Sequence, residues 1–182
     1  TLPWVAAALL ALTIGAAFRL RDVPRRAQRE APPLTTLLRR REVLAFFTST
    51  ALMVAAHTSL YTFYSLYLER HGYGKTVIGA MWSLGVTAEV LLFYFQSSLL
   101  KRWGAMRMTY LALGVAVARF VMIGAGSDLL WLLIVAQLLH AATFALHHSS
   151  SVMTLQRWFS GPLQARGQAL YMSISYGVGG SL

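Results

Sequence analysis

Long apolar runs separated by short polar breaks make up most of this chain. Six runs are readable, at about 1–18, 43–68, 76–100, 108–126, 129–151 and 167–182. An α-helix needs about 20 apolar residues to cross the hydrocarbon core of a bilayer. A lone apolar segment in lipid can satisfy its backbone only as a helix. The expected fold class is therefore all-α and integral to a membrane, with about six transmembrane helices. The run at 43–68 is long enough to be tilted or to project from the bilayer. The chain opens on Thr1 within an apolar run and closes on "SYGVGGSL" without a polar stop, so a fragment of a longer polypeptide is expected. No basic region precedes the first run, so no signal peptide is expected.

The breaks give the runs a direction. The segment Arg19–Glu42 holds eight Arg, Lys101–Arg107 holds three basic residues, and Gln156–Arg166 holds two. The alternate breaks hold two (Glu69–Lys75) and none (around Ser127–Asp128). Cytoplasmic loops carry the excess of Lys and Arg, so the first set is expected in the cytoplasm. Trp103 and Trp158 fall at that inner border; Trp4, Tyr73 and Trp131 fall at the outer one. The domain reading is a transmembrane helix at 1–18, a basic cytoplasmic linker at 19–42 with a short helix at Leu34–Arg41, and a helical bundle at 43–182.

Composition sharpens this picture. The chain of 182 residues is 57% hydrophobic and 12% charged, against roughly 25% charged in ordinary soluble domains. A net charge of +10 raises the question of nucleic acid, but half of the Lys and Arg lie in Arg19–Arg41. That is the pattern of a basic loop beside anionic lipid, and no nucleic-acid partner is expected. There is no cysteine, so disulfide and thiolate chemistry are excluded. "GYGKT" (Gly72–Thr76) resembles the end of a phosphate-binding loop, but that motif needs a Gly where Glu69 stands.

Two charges lie deep inside the runs. Charged residues at a helix centre are costly, and they usually face a protein interior or a water-filled cavity. Counted along the helix at 1.5 Å per residue, Glu89 lies ~20 Å from the outer end of its run and Arg119 ~10 Å from the outer end of its own. A Glu89–Arg119 pair, direct or through water, is therefore expected. It would be either a structural salt bridge or a proton switch, because a carboxylate's proton affinity depends on how near a cation lies. Gln137, His140, His147 and Ser151 share one helical stripe by spacing, and His140 matches Glu89 in depth. It is read as a proton relay or substrate ligand, or else as a satisfied interior histidine. His147 and His148 are read as structural. His57, Tyr61 and Tyr64 also share a face and would form an aromatic, hydrogen-bonding wall or ordinary helix packing. Gln96 extends the face of Glu89 toward the cytoplasm. Gly167, Gly177, Gly179 and Gly180 would let the last helix approach its neighbours closely. The histidines are too few and too scattered for a metal oxygenase, so no metal or cofactor is expected. No charged ring or filter-like loop suggests a channel.

The stretch "FYSLYLERHGYGKTVIGAMWSLGVTAEVLLFYF" (Phe63–Phe95), with "AQLLHAATFALHH" (Ala136–His148) and "QARGQALYMS" (Gln164–Ser173), resembles the phenylpropionate permease group of the major facilitator superfamily. The resemblance implies a twelve-helix carrier of two bundles, in which this chain would be helix six, the central linker and helices seven to eleven. "KRWGAMR" resembles a degenerate signature cytoplasmic loop. Arg102, Gly104 and Arg107 fit its pattern, while Lys101 stands where an Asp is usual. The group is similar to the lactose permease lineage, whose Glu, Arg and His on helices eight, nine and ten serve substrate binding and proton coupling; Glu89, Arg119 and His140 fall on the matching helices. That lineage carries a second carboxylate three residues after the His, where this chain has Thr143.

The expected function is secondary active transport, a proton symporter for a small organic solute such as an aromatic acid, in a bacterial inner membrane. Its partners would be protons, the solute, the lipid bilayer and the N-terminal half of the same transporter. It would not be an enzyme. A membrane signalling or assembly protein, with purely structural polar residues, is the alternative.

Overall fold

A computed structural model of the chain describes residues 33–181, together with residues 11, 13 and 15. The expected first span, 1–18, and most of the linker lie outside the described residues. Residues 11, 13 and 15 are helical. Every element among the described residues is helical, as the uninterrupted apolar runs require.

Pro33, extended at φ −56° and ψ 133°, precedes the short helix α1 (Leu34–Leu38). The long helices follow: α2 (Arg41–Arg70), α3 (Lys75–Trp103), α4 (Ala105–Ala125) and α5 (Leu130–Trp158). All four are long and apolar enough to cross a membrane. A turn of 3₁₀ helix, Gly161–Leu163, leads into α6 (Gln164–Tyr171), which continues through the wide turns of Met172–Val178 to Gly179–Ser181. The observed helices match the expected runs, but α5 goes seven residues past the expected end at 151. The short helix is five residues long, since Arg39 and Arg40 break it before α2 begins.

Two glycines set sharp reversals. After α2, Gly72 adopts φ +82°. The Tyr73 N–H bonds to the Leu68 carbonyl and the Gly72 N–H to that of Glu69, a Schellman closure that caps two free carbonyls. Between α3 and α4 a single residue, Gly104, at φ +81° and ψ 153°, ends one helix and starts the next. Side chains rarely tolerate that conformation, and glycine does.

Two apolar clusters close the ends of the bundle. At the linker end, Phe46 and Phe47 of α2 meet Leu155, Phe159, Leu163 and Tyr171. Several ring pairs there meet edge to face, among them Phe46 with Trp158 and Phe47 with Phe159, the geometry aromatic quadrupoles prefer. Gly167 lies against the Phe159 ring and Gly179 against the Ala51 backbone, where a Cβ would collide. Gly177 and Gly180 have room for one, so only two of the four expected small-residue contacts are needed. At the opposite end Leu60, Leu68, Ile78, Met81, Ile123 and Leu133 pack together. Tyr67 and Tyr73 donate to the Ile123 and Ser127 carbonyls there, each at 2.8 Å. Between the clusters lies a layer rich in polar side chains.

One stretch of α5 departs from the α-helical period. Ala142–Leu146 forms a π turn, and such wide turns recur at functional sites. The extra width offsets the faces of the two halves of α5, so the single stripe expected for Gln137, His140, His147 and Ser151 does not survive as one line. His140 meets α2 and α3, through Tyr61 and Glu89. His147 instead lines a cavity with Tyr176 of the last segment.

Candidate functional site

The middle layer is organised by Arg119. It projects from α4 into the bundle and is only 1% exposed. Its Nε donates to the Ala136 carbonyl at 3.0 Å, Nη1 to His57 Nε2 at 3.3 Å and Nη2 to Gln137 Oε1 at 3.4 Å. All three partners are neutral acceptors. A guanidinium only donates, so His57 Nε2 is an acceptor and the His57 proton sits on Nδ1, facing the Met53 carbonyl at 2.9 Å. Thr143 Oγ1 lies 3.1 Å from the same His57 nitrogen and donates to the His140 carbonyl at 3.0 Å. Thr143 thereby sits between His57 and the backbone of His140.

Glu89 approaches from α3. Its Oε2 lies 3.4 Å from His140 Nε2, and the Tyr61 hydroxyl lies 3.3 Å from the same nitrogen. No ion pair joins Glu89 to Arg119: the direct form of the expected contact is absent, and His140 is the partner of the carboxylate. The guanidinium is held instead by Ala136, His57 and Gln137, and His140 is the side chain of α5 that comes within reach of the carboxylate. Gly85, one turn before Glu89, makes the approach feasible. A Cβ there would lie 3.3 Å from Gln137 Oε1 and 3.5 Å from His140 Cδ2. Sequence reasoning passed over Gly85; its place in "SLGVTAEV", one turn from a carboxylate within an apolar run, was the available signal.

The other expected wall residues divide. His57, Tyr64, Gln137 and His140 are buried among the helices, and Tyr61 is about two-fifths exposed. Tyr64 packs edge to face on Trp82. Its hydroxyl, Gln137 Nε2 and His140 Nδ1 are buried with no hydrogen-bond partner. Gln96 stands apart from this group. Its Oε1 accepts from the Ser149 hydroxyl, and it lines a groove between α3 and α5 with Lys101 and His148. Arg102 and Arg107 are exposed on either side of Gly104, so the expected signature loop is little more than a one-residue joint.

Below the Arg119 layer, toward the linker end, lies a partly open cavity of about 180 Å³. His57, Tyr61, Phe144, His147, His148 and Tyr176 contribute to its wall. Tyr61 and Phe144 are ring neighbours at 6.3 Å, and His140 stacks on Phe144 at 5.6 Å. His148 Nδ1 lies 3.2 Å from the Tyr176 hydroxyl and 3.3 Å from that of Tyr171. His147 Nε2 and, one turn on, Ser151 Oγ are buried without partners.

The model of the MFS_1 like family matches residues 4–182. Over 137 residues, 75% of its length, the chain is 33% identical to a probable 3-phenylpropionic acid transporter of Escherichia coli (strain K12), and the match covers 35% of that protein. Over 143 residues, 79% of its length, it is 21% identical to the uncharacterized transporter YwbF of Bacillus subtilis (strain 168), and the match covers 36% of that protein. The chain thus matches little more than a third of the length of these curated relatives. No solved structure gives a significant match.

Proposed function

We propose a transport function on one premise: the chain belongs to the MFS_1 like family, and within it is similar to a transporter named for 3-phenylpropionic acid. The chain is the larger part of one half of a secondary active transporter in a bacterial inner membrane. The transporter is a proton symporter for a small organic solute, an aromatic acid by likeness to that relative. Residues 1–18 are the last helix of the N-terminal half, 19–42 the cytoplasmic linker, and 43–182 the C-terminal bundle. Net movement comes from two halves rocking about a midplane site.

One observation carries this reading. Arg119 is buried, and the groups it touches are all neutral. Buried charges are normally paired, and an intramembrane cation normally marks a path for ions or substrate. An unneutralised guanidinium beside a carboxylate–imidazole pair suits a carrier that receives an anion in one state and a proton in another. Glu89, 3.4 Å from His140 Nε2, is the proton-carrying group. Arg119 tunes it through His57 and Gln137 and attracts the anionic end of the solute. Tyr61, Tyr64, His57, Gln137 and Gln96 belong to the binding wall and the exit toward the cytoplasm. Arg102, Gly104 and Arg107 form the cytoplasmic joint.

The test is uptake of radiolabelled 3-phenylpropionate by proteoliposomes of the full-length transporter under an imposed proton gradient. Glu89→Gln, which mimics the protonated acid permanently, should abolish uphill accumulation and preserve exchange between equal pools. A Glu89→Gln variant that still concentrates the solute would remove Glu89 from the coupling mechanism. No uptake by the unaltered protein of any small organic acid would favour the signalling or assembly alternative.

A further inference from the structure

Two spaces lie along α5, and one side chain belongs to both. The cavity of about 180 Å³ is walled in part by His57, Thr58, Phe144 and Tyr176. A wider groove of about 470 Å³ runs between α3 and α5, from Phe93 and Ser149 to Lys101 and Gln156 at the linker end. Among the described residues, His148 alone lines both. Its imidazole is gripped on one side only. Nδ1 lies 3.2 Å from the Tyr176 hydroxyl and 3.3 Å from that of Tyr171. One ring nitrogen offers a single proton or a single lone pair, so it serves one of the two hydroxyls fully at a time. Nε2 has no hydrogen-bond partner, yet it is not shut in like the partnerless nitrogens of His140 and His147. The ring therefore has an open side. Both helices are widened close to this contact. His148 follows the π turn Ala142–Leu146 of α5, and Tyr176 lies within the turn Met172–Val178 that extends α6. Such turns recur at functional sites.

We propose that His148 is the partition between the cavity and the groove, and that the Tyr171 and Tyr176 hydroxyls latch it shut. Turning the imidazole away from them joins the two spaces into one passage that ends beside Lys101. Release strands no polar group. The two tyrosine hydroxyls are hydrogen-bond neighbours of each other, with rings 5.8 Å apart. On the groove side, Gln96 and Ser149 offer the imidazole new partners. Exchanging one neutral hydrogen bond for another changes stability little, so both positions of the ring are accessible. The proposal rests on the transport reading for what passes, a compact solute on its way to the cytoplasm, and it adds residues that reading does not use. The sequence grouped His148 with structural histidines; its place in two walls sets it apart.

The experiment is thiol labelling of a cysteine in the cavity wall, Thr58→Cys, in the full-length transporter freed of other cysteines. The probe is a charged, membrane-impermeant methanethiosulfonate, applied to vesicles that present either the linker face or the opposite face. His148→Ala, which removes the partition, should speed labelling from the linker face by roughly tenfold or more. The double variant Tyr171→Phe with Tyr176→Phe keeps every ring and removes only the latch. It should speed labelling from that face by roughly two- to tenfold, the worth of one hydrogen bond. Labelling from the opposite face should not change in either variant. Equal acceleration from both faces would show that the trio only holds the bundle together, and would overturn the partition. Unchanged labelling in both variants would overturn it as well. If His148→Ala does not fold, the double variant decides alone. Face-selective acceleration in a protein that takes up no small organic acid would overturn the transport reading and leave the partition standing.

Discussion

The linker-end cluster and the middle layer are built from the same helices to opposite standards. At the linker end Phe46, Phe47 and Phe159 interlock edge to face, with Tyr171 tilted beside Phe46, and Gly167 and Gly179 bring backbone into direct contact with neighbours. In the middle layer, His140 and His147 each leave a ring nitrogen buried and unmatched, Tyr64, Gln137 and Ser151 hold buried polar atoms without a close hydrogen bond, and a partly open cavity lies beside them. Unmatched buried polar atoms each cost about 1–3 kcal/mol. A bundle selected for rigidity alone would have replaced them with apolar side chains. The ends hold the helices together; the middle is left able to change partners.

Four substitutions would sharpen or break that contrast. The largest effect is expected from Arg119→Ala, which removes the hub of the middle layer. Uptake and exchange in proteoliposomes should both fall by at least about a hundredfold, in line with the loss of a buried, multiply hydrogen-bonded charge. Exchange that survives Arg119→Ala would mean the guanidinium is only a packing element. Next, Phe159→Ala at the linker end should destabilise the protein by about 3–5 kcal/mol, read as a lower unfolding midpoint, while the exchange rate per folded molecule stays near normal. A selective loss of exchange without a change in midpoint would erase the distinction between the two regions. Gly85→Ala should be intermediate, at about 1–2 kcal/mol, because its methyl group crowds Gln137 and His140. The effect should appear in transport before it appears in stability. The smallest effect is expected from Tyr64→Phe. It deletes a hydroxyl that makes no close hydrogen bond and whose polar neighbour is Gln137, so stability should change by less than about 1 kcal/mol. A clear loss would show that the hydroxyl is engaged in another state of the protein.

Much of the architecture was legible because hydrophobic runs in a bilayer admit only one element type. Runs at 43–68, 76–100 and 108–126 emerged as helices 41–70, 75–103 and 105–125, with ends displaced by a few residues where polar side chains continue the helix beyond the apolar core. The buried polar residues were legible too, since lipid penalises them so heavily. Their pairings were not. Helical periodicity fixes which residues of one helix share a face, but says nothing of how that face turns toward a neighbour. Thus Arg119 was expected at Glu89, while His140 is the residue that reaches it. The π turn was invisible for a different reason: "HAATFALHH" contains no Pro or Gly to mark it. Every stripe drawn through it on a uniform 3.6-residue period was bound to drift. Thr143, noted only as the place of a missing carboxylate, proved to lie between His57 and the backbone of His140.

Gly104 has a mechanical consequence. One residue joins the helix that carries Glu89 to the helix that carries Arg119, and a joint that short stores no slack. The two helices cannot slide past each other along their axes at that end; the freedom left to them is to splay, like the arms of a pair of tongs pinned at the linker-side tip. Any such opening grows with distance from the pin. It is therefore small at Trp103 and Ala105 and greater at the level of Glu89 and Arg119. A lengthened hinge, made by inserting two glycines after Gly104, would add slack at the pin and so loosen the leverage between carboxylate and guanidinium without altering either.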